Sequence, residues 1–179
     1  EVGPRLSGTG TREIDADGLT VTPGFVDIHT HFDGQATWDP ILAPSSIHGV
    51  TSIVMGNCGV GFAPARPTPE QHAWLIGMLE GVEDIPGTAL AEGLAWDWET
   101  FPDYMNALDR REYAIDVATQ VAHAPLRAYV MGERGADPLE APTVEELGRM
   151  AMMVREGMQA GALGFTTSRT YVHRTKAGA

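Results

Sequence analysis

Cysteine, long apolar runs and positive charge are all scarce in this 179-residue sequence. Its single cysteine, Cys58, cannot form an internal disulfide, which excludes a secreted disulfide scaffold and favours the cytoplasm. No apolar run is long enough to span a bilayer, and the first residues do not have the pattern of a signal peptide. We therefore expect a folded cytoplasmic protein without a membrane segment.

The charge is strongly negative, with 12 lysines and arginines against 24 aspartates and glutamates and a net charge of -12. Such a field repels phosphate backbones and anionic lipid surfaces, so neither nucleic acid nor a membrane is an expected partner. A hydrophobic content of 43% with 20% charged residues is enough to bury the core of one domain.

Four runs rich in β-branched and apolar residues predict buried strands. They span residues 25–31, 50–55, 114–121 and 162–167. A weaker strand pattern covers residues 11–14. Helical patterns lie between the four runs, and strands alternating with helices predict an α/β fold with a parallel sheet. Four such strands would make half of a (β/α)8 TIM barrel, since a complete barrel takes about 250 residues.

Three helices are indicated by caps and apolar spacing. Thr68 offers an N-cap, with Pro69 at the first helical position and Gln71 three residues past the cap. Residues 101–108 suit a shorter helix. A capping box at Thr143 and Glu146 opens a third helix. The stripe expected to face the core in that helix is Leu147, Met150, Ala151, Val154 and Met158.

An open doubly wound sheet is the competing architecture. It would place a glycine-rich phosphate turn after the first strand, but that turn here reads His-Thr-His-Phe-Asp-Gly. No GxGxxG or Walker-type loop occurs in the sequence, which disfavours nucleotide binding.

His29 and His31 stand at the end of the first predicted strand. Residues two apart on a strand share a face, so the two imidazoles point the same way. Val26 and Ile28 would then point to the opposite face and meet the helix layer. Barrels build active sites at the carboxyl ends of their strands, so two imidazoles there could hold a metal ion. His-x-His alone is a weak signal, and a structural role is the alternative.

Cys58 follows the second predicted strand, within the sequence Gly56-Asn57-Cys58-Gly59. Glycines on both sides of the thiol indicate a tight backbone bend rather than a packing position. A lone cysteine is often a small buried hydrophobe, and that alternative stays open. A thiolate with two imidazoles is a ligand set suited to zinc.

Several segments resemble a known family. Residues 23–31, Pro-Gly-Phe-Val-Asp-Ile-His-Thr-His, resemble the first-strand signature of the amidohydrolase superfamily. Residues 48–64, 80–86, 126–132 and 160–170 are similar to the N-acyl-D-amino-acid deacylases, or D-aminoacylases. The Gly-Asn-Cys-Gly segment is the part of this pattern that marks the deacylase branch.

This resemblance implies a metal-bearing (β/α)8 barrel beside a small β-sandwich. Residues 1–20 would be the tail of the sandwich, and residues 21–179 the first half of the barrel. It implies His29, His31 and Cys58 as metal ligands for one or two zinc ions, and an N-acylated amino acid as the substrate. The family's later histidine ligands and its acid–base aspartate have no counterpart here, so we expect an N-terminal fragment that is inactive alone.

Four further residues are weaker candidates. Asp27 shares the histidine face and would either orient a ligand or make a structural hydrogen bond. Asp33 follows the motif and could cap a turn. His123 lies just past the third strand, where a structural role is favoured over metal binding. Arg169 would suit a substrate carboxylate, although exposed loop arginines are common.

Two other functions stay open. A cyclic-amide hydrolase of the dihydropyrimidinase type would keep the fold, but Cys58 argues against it because that branch uses a lysine bridge. A non-catalytic relative would keep the barrel as an interaction scaffold, which the retention of both histidines and the thiol disfavours.

Overall fold

The computed structural model describes residues 3, 8–83, 85–137 and 139–168, and its architecture is α/β with parallel strands. The strands are β1 (Phe25–Asp27), β2 (Val50–Met55), β3 (Asp116–Thr119), β4 (Val121–Ala122) and β5 (Phe165–Thr166). The helices are α1 (Pro69–Glu83), α2 (Gly87–Gly93), α3 (Phe101–Asp109), α4 (His123–Met131) and α5 (Val144–Gln159). Among the described residues, no helix combines the length and apolarity needed to cross a bilayer.

Within the described residues, the strands form two parallel sheets that are joined through Gln120. β1, β2 and β3 pair in that order, and β4 pairs with β5. Gln120 separates β3 from β4, and its backbone N–H donates to the Met55 carbonyl at 3.1 Å. The Leu163 N–H donates to the Thr119 carbonyl at 2.9 Å. The carboxyl ends of β1, β2, β4 and β5 therefore lie along one edge.

The predicted strands differ in length from the observed ones. The run 50–55 is confirmed as β2, whereas the run 25–31 contains a strand of only three residues. Residues 11–14 form no strand, so that prediction is wrong. No neighbouring strand in the described ranges supplies backbone partners there, and an isolated extended segment has nothing to pair with.

The outer face of β1 is exposed rather than covered by helices. Val26 is 60% exposed and Ile28 is 71% exposed, so the prediction that they meet a helix layer is wrong. The physical reason lies in the connection from β1 to β2. It contains two short 3-10 turns, Gln35–Thr37 and Ser46–His48, instead of a helix that could pack across the strand.

The caps predicted for the long helices are observed. The Gln71 N–H donates to Thr68 Oγ1 at 3.3 Å, directly at the start of α1. In α5, the Thr143 hydroxyl oxygen accepts from the Glu146 N–H, and the Glu146 carboxylate accepts from the Thr143 N–H at 2.7 Å. Each of the two caps provides acceptors for backbone N–H groups that the first turn of a helix leaves without partners.

The buried face of α5 is rotated from the predicted stripe. Met150 is buried as expected, but Leu147, Ala151 and Met158 are exposed. Gly157 lies against the sheet, where a side-chain carbon would come 2.6 Å from Val121 Cγ2. The close approach at this glycine sets the rotation of the helix, which the sequence pattern did not predict.

Two tyrosines hold the irregular connection that follows β1. The Tyr104 hydroxyl donates to the Asp33 carbonyl at 2.7 Å, and the Tyr113 hydroxyl donates to the Ala36 carbonyl at 2.9 Å. Burial, and secondarily the Asp33 carboxylate, raise the pKa of the Tyr104 phenol well above its ordinary value. Tyr104 therefore stays protonated and keeps this donor, which fixes the backbone just beyond His31.

His72 on α1 packs against an aromatic segment. Its ring stacks on Trp96 with centroids 3.8 Å apart and an angle of 4° between the planes. Within the described residues, its Nε2 is buried and has no hydrogen-bond partner. Burial lowers the pKa of His72 from its ordinary value of 6.5, and a hydrogen bond with the Arg66 backbone opposes this shift.

The stability of the fold is expected to decrease as the pH falls below about 6.5, in part through His72. Because the pKa of His72 is lower in the folded than in the unfolded chain, the unfolded chain binds more protons in the window between the two values. Urea unfolding from pH 8 to 5 would measure this. In His72→Phe, which keeps the stacking and removes the titration, the pH profile should be flatter. Parallel profiles for the two proteins would contradict this expectation.

Candidate metal centre

Three metal-binding side chains converge at the carboxyl edge of the sheet. His29 and His31 follow β1, and Cys58 follows the neighbouring strand β2. Cys58 Sγ lies 2.9 Å from His29 Nε2, and the two histidine rings are 5.5 Å apart between centroids. One donor atom from each of the three residues lies within 4.8 Å of the others.

The two histidines are held by a turn rather than by the strand itself. The strand ends at Asp27, whose carboxylate accepts from the His29 N–H at 3.1 Å. Thr30, between the histidines, is buried and donates to the Val54 carbonyl through both its N–H (3.1 Å) and its hydroxyl (2.9 Å). These bonds to β2 bring the imidazoles beside the end of that strand.

Cys58 occupies a left-handed turn. It has a φ of +55° inside the short 3-10 turn Asn57–Gly59, and it is flanked by Gly56 (φ +76°) and Gly59 (φ +78°). This conformation destabilises a residue that has a side chain by about 1–2 kcal/mol. At Gly56 no side chain fits, because a Cβ would come 2.2 Å from the Gln120 carbonyl oxygen. The tight bend predicted from the glycines is therefore confirmed.

The donor set and its spacing fit a transition metal such as zinc. One sulfur and two imidazole nitrogens are ligands that zinc accepts, at bond lengths of about 2.3 and 2.0–2.1 Å. Ligands of a single ion then lie within roughly 4 Å of each other. The 2.9 Å contact is inside that limit, while the 4.8 Å spread is slightly wider. One ion after a small adjustment, or two ions sharing the ligands, suits this arrangement.

The other candidates lie around this cluster in different roles. Asp27 is half-buried and bonds the His29 backbone. Asp33 is 2% exposed, and a Cβ on Gly61 would come 3.1 Å from its Oδ1. His123 is the first residue of α4, and its Nδ1 lies 3.2 Å from Thr167 Oγ1. It does not belong to the three-residue cluster. Arg169 lies outside the described residues.

Sequence reasoning missed the hydrogen bonds that four side chains make at the Cys58 turn. These side chains are Asn57, Gln120, Thr166 and Ser168. The sequence holds one signal for them, since each stands within or next to the carboxyl end of a strand. Their amide and hydroxyl groups alone do not distinguish them from ordinary loop residues.

The family follows from a comparison with family models. The model of the amidohydrolase family matches residues 12–179. The chain therefore belongs to the amidohydrolase family.

Within that family, the resemblance to D-aminoacylases is confirmed. The chain is 36% identical to the D-aminoacylase of Alcaligenes xylosoxydans xylosoxydans, over 88% of this chain and 29% of that protein. The crystal structure of the N-acyl-D-glutamate deacylase of Bordetella bronchiseptica, complexed with zinc and a phosphonate inhibitor, aligns with a TM-score of 0.63. That alignment has 34% identity and covers 88% of this chain and 29% of the other.

A further solved structure concerns the binuclear metal centre of a D-aminoacylase. It is 30% identical, has a TM-score of 0.61, and is matched over 87% of this chain and 30% of its own length. The chain thus spans less than a third of the length of each of these relatives.

Proposed function

We propose that this chain is the first part of a metal-dependent hydrolase that cleaves carbon–nitrogen amide bonds in N-acyl-D-amino acids. The convergence of His29, His31 and Cys58 at the ends of two adjacent parallel strands carries this proposal. The similarity to deacylases over most of the chain supports the substrate class.

In this proposal the three residues hold zinc, as one or two ions. When bound, zinc supplies Lewis acidity that polarises an amide carbonyl and makes water a nucleophile near neutral pH. The hydrogen bond between Cys58 Sγ and His29 Nε2 contains a proton that must leave before both atoms can act as ligands. Asp27 and Thr30 hold the backbone on either side of His29, which limits the reorganisation needed on binding.

We also propose that residues 21–179 form the first half of a (β/α)8 barrel and that residues 1–20 belong to a small β-sandwich. Support for the barrel comes from parallel strands that neighbour each other in chain order, with helices following β2 and β4. A single cysteine that faces an imidazole instead of a second thiol is compatible with the proposed cytoplasmic location.

Cys58 favours the deacylase over a cyclic-amide hydrolase. A structural cysteine would face an apolar layer, whereas this sulfur contacts an imidazole. The family resemblance implies a thiol ligand for the deacylase branch and a carboxylated lysine for the dihydropyrimidinase branch. The position of Sγ beside His29 therefore supports the deacylase assignment.

The chain alone is expected to bind zinc without turning over substrate. The three-residue cluster contains no carboxylate, and general acid–base catalysis needs a group within hydrogen-bond reach of the transferred proton. Zinc content after dialysis, and hydrolysis of N-acetyl-D-glutamate, N-acetyl-L-glutamate and hydantoin, would test this. Turnover of the D-substrate that a chelator abolishes would overturn the expected inactivity. A chain that retains no zinc would overturn the metal assignment.

A chimera tests the function of the whole site. Residues 12–168 of this chain would replace the matching part of the Alcaligenes D-aminoacylase, with folding checked by circular dichroism. We expect metal-dependent deacylation of D-substrates, which His29→Ala in the same chimera should abolish. His48→Ala, which removes an exposed imidazole outside the cluster, is the matched control. A folded chimera that hydrolyses only hydantoin would favour the cyclic-amide alternative.

A further inference from the structure

Side chains from two neighbouring parts of the sheet hold the turn that carries Cys58. From one side, Gln120 Nε2 donates to Asn57 Oδ1 at 3.0 Å. From the other, the Ser168 hydroxyl donates to the Cys58 carbonyl at 2.6 Å. Thr166 Oγ1 also donates to the Gly56 carbonyl. The turn is therefore bonded at three consecutive residues by partners more than 60 positions away in the chain.

Gln120 owes its place to the break between β3 and β4. Its backbone N–H still bonds Met55, but the residue itself belongs to neither strand. The Gln120 carbonyl oxygen lies so close to Gly56 that a Cβ on Gly56 would come 2.2 Å from it. An interruption of this kind redirects a side chain next to a functional site. Here it brings the Gln120 amide against Asn57.

Asn57 links Gln120 to β2 through two hydrogen bonds. Its Nδ2 donates to the Val54 carbonyl at 2.7 Å while its Oδ1 accepts from Gln120. The same Val54 carbonyl accepts from Thr30, between the two histidines. One carbonyl of β2 thus connects the histidine segment with the cysteine turn.

The left-handed conformation of Cys58 needs such support. A non-glycine residue in this region is strained and persists only where its surroundings over-determine it. All three bonds come from residues other than His29, His31 and Cys58, namely Gln120, Thr166 and Ser168. Loss of the Gln120 or the Ser168 bond would remove part of this support.

We propose that Gln120 and Ser168 are positioning residues of the metal centre, which hold the Cys58 turn so that Sγ stays beside the histidines. The inference about metal binding rests on the proposed function. The bonds from Gln120 and Ser168 to the Cys58 turn, here called the clamp, are present without metal. The clamp and the metal binding can therefore be tested separately.

The first measurement is hydrogen exchange of the metal-free chain. In Ser168→Ala, and in Gln120→Met, which keeps the side-chain length and removes the donor, amides of residues 56–60 should exchange about tenfold faster. Exchange in α5 should not change, which controls for global unfolding. Ser52→Ala is the matched control. It removes a serine hydroxyl of β2 whose contact with the Asp116 carboxylate of β3 is exposed.

The second measurement is cobalt binding, with Co²⁺ as a spectroscopic substitute for zinc. Ser168→Ala and Gln120→Met should bind Co²⁺ about tenfold more weakly than the parent chain. Their thiolate-to-cobalt absorption should also weaken relative to the d–d bands, because that absorption reports the sulfur alone. Ser168→Thr retains a hydroxyl donor and should restore both.

The outcomes separate the two proposals. Unchanged exchange at residues 56–60 in both variants overturns the clamp, whatever the metal does. Faster exchange with unchanged cobalt affinity and absorption overturns the positioning role. A parent chain that binds no Co²⁺ overturns the proposed function, and the exchange measurement then still decides whether the clamp exists.

Discussion

Replacement of Cys58 by glycine is expected to reduce zinc affinity by about 100-fold or more while leaving the fold at least as stable as before. Loss of one thiolate from a three-residue donor set removes a large share of the binding free energy. Glycine adopts a φ of +55° without the steric cost that cysteine pays there. The relief of strain offsets the entropic cost of glycine, so the unfolding free energy should stay the same or increase by up to about 1 kcal/mol.

Competition with a chromophoric chelator would measure the affinity, and urea unfolding the stability. Cys58→Ala serves as the comparison, since it also removes the sulfur but keeps a Cβ in the left-handed conformation. Cys58→Ala should show the same loss of zinc affinity as Cys58→Gly, but no increase in the free energy of unfolding. Undiminished zinc binding by Cys58→Gly would show that the sulfur is not a ligand.

Replacement of Gly56 by alanine is expected to destabilise the fold by about 3 kcal/mol or more. The left-handed conformation contributes about 1–2 kcal/mol of this. The rest comes from overpacking, because the new Cβ would lie 2.2 Å from the Gln120 carbonyl and one of the two backbone segments must move. Urea unfolding at constant pH would measure the difference.

Gly49→Ala provides the matched control for Gly56→Ala. Gly49 has a similar conformation, with a φ of +87°, but a Cβ there would make an ordinary 3.6 Å contact with the Phe25 ring. Gly49→Ala should lower the free energy of unfolding only by the conformational contribution, about 1–2 kcal/mol. Equal losses in the two variants would show that the backbone around Gln120 accommodates the side chain.

Much of the fold and the site could be predicted because short-range chemistry determines it. The β-branched run that forms β2 and the Thr143–Glu146 capping box each specify their element within a few residues. The pairing of His29 with His31 was also predictable. Strand alternation alone does not place the two rings, because β1 ends at Asp27 and a turn carries both histidines.

Contacts between distant segments explain the rest. The rotation of α5 depends on how closely Gly157 approaches Val121, which no periodicity encodes. Helix α4 begins at His123 directly after a strand, with no side-chain cap to mark its start. The direct contact of Cys58 Sγ with His29 Nε2 depends on a turn whose hydrogen-bond partners, Gln120 and Ser168, lie in distant segments, so no local pattern encodes it.

The exposed side chains and the unpaired edge of β1 affect the behaviour of this chain in solution. Phe25, Val26 and Ile28 are each more than half exposed, and in the described ranges no strand pairs with the other edge of β1. An open strand edge beside apolar side chains is a template for pairing between molecules. Colloidal stability, rather than thermal stability, would therefore limit the protein concentration at which the chain can be handled on its own.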